Sequence, residues 1–231
     1  MDAFAQVRGG VGAPSPQIVR KNFRDAARRP VSAGCRPCQN RTVIGTLLAG
    51  GRAVGYRSEL RELAFDSHGI VTLRDAESSG VPAVEVRKLA SRGALTRLGH
   101  GVYRMEEAPA DALTEFAAAV ALVGGDAVLA DESVLAAHDL AQVNLRRIQV
   151  ATGGRVRRQL PPTIEVIART VPADQRTDID GLPAMTLAAA IRASRDRVRT
   201  SRLIDAARQA DVRGLIDHRE AEAIISELEQ E

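Results

Sequence analysis

Between residues 87 and 104 the chain gathers side chains that could hold phosphate. Arg87, Lys88 and Arg92 fall in one short stretch, and Arg97, His100 and Arg104 in the next, with Ser91 between them. From residue 90 to 105, "ASRGALTRLGHGVYRM", there is no acid, and Glu106 and Glu107 follow at once. Guanidinium and ammonium groups spaced this way neutralise a phosphodiester backbone and release its counterions. The acids begin where such a contact should end. A second cluster, Arg146, Arg147, Arg155, Arg157 and Arg158, lies in a stretch without acid between Asp139 and Glu165. It reads as a further DNA-backbone contact, as a surface for an acidic partner or tRNA, or as a solvated hairpin.

The elements that must position the first group follow from local signals. "SELRELAFDSHG" places Leu60, Leu63 and Ala64 on one helical face, with Gly69 as the stop. Thr72 and Asp75 read as a capping box opening a short helix over 73–78. Gly80 allows a sharp turn, and Pro82 suits the first position of a third helix, where its missing N–H costs nothing. In that helix Ala83, Val86, Leu89 and Ala90 make an apolar stripe, leaving Glu85, Lys88, Ser91 and Arg92 on other faces. Beyond Gly93, residues 95–98 and 102–105 read as two strands joined at 99–101. Three helices and a ribbon predict a winged helix-turn-helix. Its third helix fits the ~12 Å major groove, and its hairpin lies along the neighbouring backbone. Arg87 and Ser91 are the candidates for base contact. Many winged helices serve instead as protein–protein modules, and that alternative stands.

Charge is unevenly distributed. The chain of 231 residues carries net +3, made of +8 over residues 1–57, +1 over 58–105 and −6 over 106–231. A basic front and an acidic rear fit a nucleic-acid partner. Residues 1–57 mix Gly, Pro and Arg without sustained periodicity and are expected to be largely disordered, with a short helix at most over 16–29. That segment reads as an unstructured tail or as a basic arm. Aromatics make up 3% of the chain, which argues against stacking on single strands. Cys35 and Cys38 form a single CxxC with no second pair or nearby His, so no metal site is expected. No apolar run reaches the ~20 residues of a membrane span, and a cytoplasmic location is expected.

Residues 107–231 predict a mixed α/β part ending in helices, so the fold class is α+β. An Ala-rich helix over 111–124 turns Leu113, Phe116, Ala117, Val120 and Ala121 inward. Asp131 reads as the N-cap of the next helix, which carries Val134, Leu135 and His138 on one face. "RRIQVAT" and "TIEVIART" read as strands, and "TDIDGLPAMT" as another strand and turn. Thr186 caps a helix, a longer one follows near 196–210, and Asp217 with Glu220 opens the last, striped by Ala221, Ile224, Ile225 and Leu228. A nuclease of the restriction type needs Lys near its strand acids; Glu165 has none, since Lys occurs only at Lys21 and Lys88. P-loop and protein-kinase signatures are absent, and no cofactor is expected. A Glu132–His138 pairing lacks a nucleophile, and Asp178 with Asp180 reads as a turn rather than a metal grip.

The run "GIVTLRDAESSGVPAVEVRKLASRGALTRLGHGVYRM" resembles the N-terminal winged helix of AbiEi-type antitoxins, with Gly93, Leu95, Arg97, Gly101, Tyr103 and Arg104 in the wing pattern. "AVLADESVLAAHDL" and the strand-rich stretch to "TLAAAIRAS" extend the resemblance to about residue 210. It implies an antitoxin and autoregulator of a type IV-like toxin–antitoxin system. Such a protein would bind inverted repeats in double-stranded operator DNA, repress its own operon and oppose a nucleotidyltransferase-like toxin encoded beside it. Opposition by direct binding, or by modifying the toxin through an atypical kinase activity such as serine phosphorylation, remains the alternative. The domains expected are thus 1–57, a basic extension; 58–106, the winged helix; and 107–231, the antitoxin part.

Overall fold

Leu60 and Ala64 do share a buried face, in helix α1 (Tyr56–Asp66). A computed structural model of the chain describes residues 55–230. Residues 1–54, with the helix expected over 16–29 and the Cys35–Cys38 pair, lie outside the described residues. After α1 the chain turns through His68 and Gly69, both at positive φ, into strand β1 (Ile70–Thr72). Helix α2 (Leu73–Ser78) begins as its cap predicts: the Thr72 hydroxyl oxygen accepts from the Asp75 amide at 3.1 Å. Asp75 reaches back to the Thr72 hydroxyl rather than to its amide, at 2.6 Å. Helix α3 (Ala83–Ser91) starts after Pro82, and strands β2 (Leu95–Gly99) and β3 (Val102–Met105) form the hairpin.

β1 adds to that hairpin, giving an antiparallel sheet in the order β1-β3-β2. One side packs on α1–α3 through Leu60, Val71, Ala76, Val81, Val86, Leu95, Tyr103 and Met105. The opposite side carries Ile70 and Val102 into the larger core of the remaining chain.

Helix α4 (Thr114–Val123) joins the two sheets. It packs against β1, β2 and β3, and also against β4 (Val128–Leu129), β5 (Ile148–Thr152) and β8 (Leu182–Met185). The single inward stripe read from sequence is therefore incomplete. Leu113, Ala117 and Val120 are buried, but so are Ala119, Leu122 and Val123, while Phe116 and Ala121 are half-buried. A helix packed against two sheets buries more than one stripe, which blurs the period.

The second sheet has five strands in the order β6-β5-β4-β8-β7, with β6 (Ile164–Ala168) and β7 (Arg176–Ile179) at its edges. β5 and β6 run parallel. The Arg-rich segment between them is thus a crossover along the sheet, not the turn of a hairpin. Where one strand and a turn were expected, β7 and β8 form a hairpin, turned at Asp180 and Gly181, where the Asp178 carboxylate accepts from the Gly181 amide.

Helices α5 (Glu132–Ala137), α6 (Leu187–Ala193), α7 (Thr200–Val212) and α8 (His218–Glu229) complete the α+β fold. Asp217 caps α8 by accepting from the Arg219 amide, and Ala221, Ile224 and Leu228 bury the predicted stripe. Two expected caps differ. Thr186 precedes α6 without a side-chain cap bond. Asp131 makes none either; its carboxylate meets Arg169 at 2.5 Å, and the Gln149 side chain takes the free Glu132 amide instead. Asp131 sits at φ +48°, outside the extended region an N-cap residue usually adopts.

His138 ends α5, half-buried, with its carbonyl accepting from Arg213 at 2.6 Å. Burial lowers its pKa, and the Arg213 cation lowers it further against an opposing pull from Asp180. Folded His138 takes a proton less readily than the unfolded chain does. Its contribution to stability is therefore complete above the ordinary value of 6.5 and is lost as pH falls below it. His138→Gln should flatten the fall in unfolding free energy between about pH 7 and about pH 5, read by urea titration.

Candidate nucleic-acid interface

The sequence of α3 alternates what it buries with what it shows. Val86 is fully buried against the helical side, and Leu89 and Ala90 are half-buried. The opposite face is Val84, Arg87, Lys88 and Ser91, at helical spacing and all exposed. Val84 was not among the expected site residues. It is 54% exposed, an apolar side chain at the N-terminal end of the face that carries Arg87 and Lys88. Its only signal in the sequence is that it falls outside the stripe of Ala83, Val86 and Leu89.

Lys88 donates to Glu85 at 2.7 Å, an exposed pair one turn apart that costs little to break. Ser91 donates its hydroxyl proton to the Lys88 carbonyl at 2.8 Å, so toward a base it can only accept. Arg92 stands exposed at the C-terminal end of α3.

The hairpin divides its cations between two sides. Arg97 lies opposite Tyr103, on the sheet side that packs on α1–α3. It is exposed, and its Nε donates to the Gly99 carbonyl at 3.1 Å, which leaves both terminal NH2 groups for a phosphate. Arg104 lies opposite Ile70 and Thr96, on the side that α4 covers. It is half-buried, and its Nε is buried without a hydrogen-bond partner among the described residues. His100, exposed in the turn, faces a recess that also contains Arg155, Arg157 and Arg158. Arg97 therefore stays with α3, whereas Arg104 and His100 belong to the side facing the rest of the chain.

The second basic cluster also divides. Arg155, Arg157 and Arg158 line one recess with His100 of the hairpin turn. Arg146 and Arg147 lie exposed in another cleft with Glu132, Glu165 and Arg197. There the charges are nearly balanced: Arg197 holds Glu165 through two contacts at 3.2 and 3.4 Å. Burial raises the Glu132 pKa, against the lowering pull of Arg197. Glu132 and His138 sit at opposite ends of α5 and form no pair. Among the described residues no group of His, Cys, Asp and Glu could hold a metal ion.

The N-terminal half of the interface is held to the rest by polar contacts as well as by α4. His68 contacts the Asp111 carboxylate at 2.7 Å and the Asp180 carbonyl at 2.9 Å. Burial pushes Asp111 up, but bonds from His68, Thr114 and the Leu113 amide outweigh it and hold the carboxyl below its usual range. Arg57 pairs with Glu107, one of the two acids that close the cationic run.

This arrangement is that of an α+β protein with a cationic helix-and-hairpin module docked on a larger mixed-sheet part. Residues 58–105, which span that module, match the model of a family described as transcriptional regulator, AbiEi antitoxin. The match covers a minor part of the chain and speaks for that segment. A search of curated proteins found no match to the chain. Among the described residues no helix is long and apolar enough to cross a membrane.

Proposed function

We propose that residues 58–106 are a winged helix-turn-helix that binds double-stranded operator DNA, and that the chain represses its own operon as the antitoxin of a two-gene system. The observation that carries this reading is the exposed face of α3 with Arg92 and Arg97 beside it. α3 enters the major groove, and the β2–β3 hairpin is the wing. Arg87 reads a guanine edge, Val84 meets a thymine methyl, and Ser91 accepts from an amino group. Lys88, Arg92 and Arg97 hold phosphates. The family match over the same residues supports the assignment.

Residues 107–231 form a second domain that counteracts a nucleotidyltransferase-like toxin in the cytoplasm. The operator is a pair of inverted repeats, as two copies of one chain would require. A direct grip on the toxin is the second reading, favoured by Val212, 88% exposed at the end of α7, and by Leu215 beyond it. Co-purification with the toxin in high salt would favour that grip. A mass change of the toxin with nucleotide and Mg²⁺ would favour modification.

The test is fluorescence anisotropy of the full chain on the duplex upstream of its own reading frame, against a scrambled duplex, in rising salt. With these three phosphate contacts per chain, log affinity should fall with log salt at a slope of about −3. The upstream duplex should bind at least about a thousandfold more tightly than the scrambled one. Equal, weak binding of both duplexes would reject the assignment.

A further inference from the structure

Between the hairpin turn and α4 lies a cleft of about 590 Å³. Its floor is apolar, built from Ile70, Val102, Ala117, Val120, Ala121 and Leu182. At His100 and the Gly124–Gly125 corner it runs into the recess of about 480 Å³ that holds Arg155, Arg157 and Arg158. Arg158 lines both spaces. Its guanidinium lies over Gly124, where an added Cβ would stand 3.4 Å from a terminal nitrogen. Gly124 and Gly125 both adopt positive φ, which ends α4 abruptly and opens the passage.

The acids nearby are already engaged. In the recess, Asp126 accepts from the Thr152 hydroxyl at 2.5 Å and the Gly153 amide at 3.2 Å, with Arg176 at 3.8 Å. In the cleft, Asp75 is occupied by the Thr72 hydroxyl, and Arg74 lines the same space. Among the described residues no hydrogen bond or ion pair engages Arg155, Arg157 or Arg158, which leaves their guanidinium groups for an anion.

We propose that the joined cleft binds an amphipathic anion, a carboxylate or phosphate monoester carrying an apolar body. The charged end lies against Arg155, Arg157 and Arg158, and the apolar body covers the Ile70–Val120 floor. An apolar cavity with a few convergent polar groups, placed where two parts of a fold meet, is the usual form of a small-molecule site. Guanidinium forks suit both carboxylate and phosphate oxygens. A nucleic-acid backbone would use the arginines but would leave the apolar floor bare. The ligand would touch His100 and Gly101 in the hairpin turn and Thr72 and Leu73 at the head of α2. Occupancy is therefore coupled to the seating of the hairpin, and this coupling, unlike the site itself, rests on the DNA-binding reading above.

The test uses the full chain and dansyl-labelled undecanoate, followed by fluorescence. Saturable binding at one site is expected, with displacement by laurate and by dodecyl phosphate; whichever displaces better identifies the headgroup. Dodecanol and inorganic phosphate should each compete at least about tenfold more weakly, because each lacks one half of the recognition. Arg158→Glu should weaken binding about tenfold or more. Ala121→Phe, which fills the floor, should abolish binding with circular dichroism unchanged; should it misfold, Arg157→Gln combined with Arg155→Gln provides the check from the other end. No saturable binding by the native chain would overturn the site. So would displacement by inorganic phosphate or duplex DNA as strong as by laurate, or native-like binding by the folded variants. Laurate should also shift affinity for the upstream duplex in the native chain but not in Ala121→Phe. Binding without that shift overturns the coupling alone.

Discussion

The double variant Arg92→Glu, Arg97→Glu should lose DNA binding while remaining folded. Both side chains are exposed, and neither forms an ion pair among the described residues. Surface changes of this kind typically alter stability by about 0.5 kcal/mol or less. On a duplex each reversal removes a charge-assisted contact and adds a repulsion. At roughly 1.5–3 kcal/mol for each lost contact, affinity for the upstream duplex should fall about a hundredfold or more. The log–log salt slope should flatten by about two, one for each phosphate no longer neutralised. Anisotropy titrations at several salt concentrations measure both quantities. Protection against the toxin should survive in co-expression, because the residues proposed for it lie elsewhere. Tight, salt-sensitive binding by the double variant would remove α3 and its hairpin from the interface. Arg104 is a poor choice for this test: it is half-buried on the side that α4 covers, and its reversal would disturb packing first.

Val102→Asp is expected to have the largest effect on stability. Val102 is 2% exposed and belongs to strand β3, yet it packs in the core shared with α4 and the second sheet. Aspartate there loses apolar burial and places a carboxylate among the buried apolar side chains of the shared core. A cost of about 4 kcal/mol or more follows. That is a large share of the ~5–15 kcal/mol that holds a typical domain. The melting temperature should drop by about 10 °C or more, seen by scanning calorimetry. The shape of the transition matters as much as its position. Because Ile70 and Val102 join the small sheet to the large core, residues 58–106 and 107–231 should melt together in the native chain and in the variant. A native trace with two transitions, only one of them moved by Val102→Asp, would show that the two parts fold separately.

How much of this was legible depended on how local each signal was. The Thr72 cap, Pro82 before α3 and the glycines at Gly80, Gly93 and Gly101 each act within a few residues, and the elements they predict are present with nearly the expected bounds. The strands β1 and β4 were missed. Each is two or three residues long, too short to show alternation, and each exists because a distant partner pairs with it: β1 with residues 102–104, β4 with 150–151 and 184. The parallel direction of β5 and β6 was hidden for the same reason. Strand propensity carries no direction, and the polar, Pro-rich segment 153–163 fits a turn as readily as a crossover.

From composition and order alone came the cationic run closed by Glu106 and Glu107, the three helices with their hairpin, and the α+β class; these rest on charge and on short-range backbone preference. Tertiary packing settled which cations share a side. Arg97 and Arg104 sit on adjacent strands of one hairpin, yet the pleat turns them to opposite faces, and only the docking of α4 makes one of those faces interior. The same docking brings His100 to Arg158 across more than fifty residues of chain and encloses a cleft between them. Contacts over such separations depend on where the chain returns in space, and no window of sequence records that.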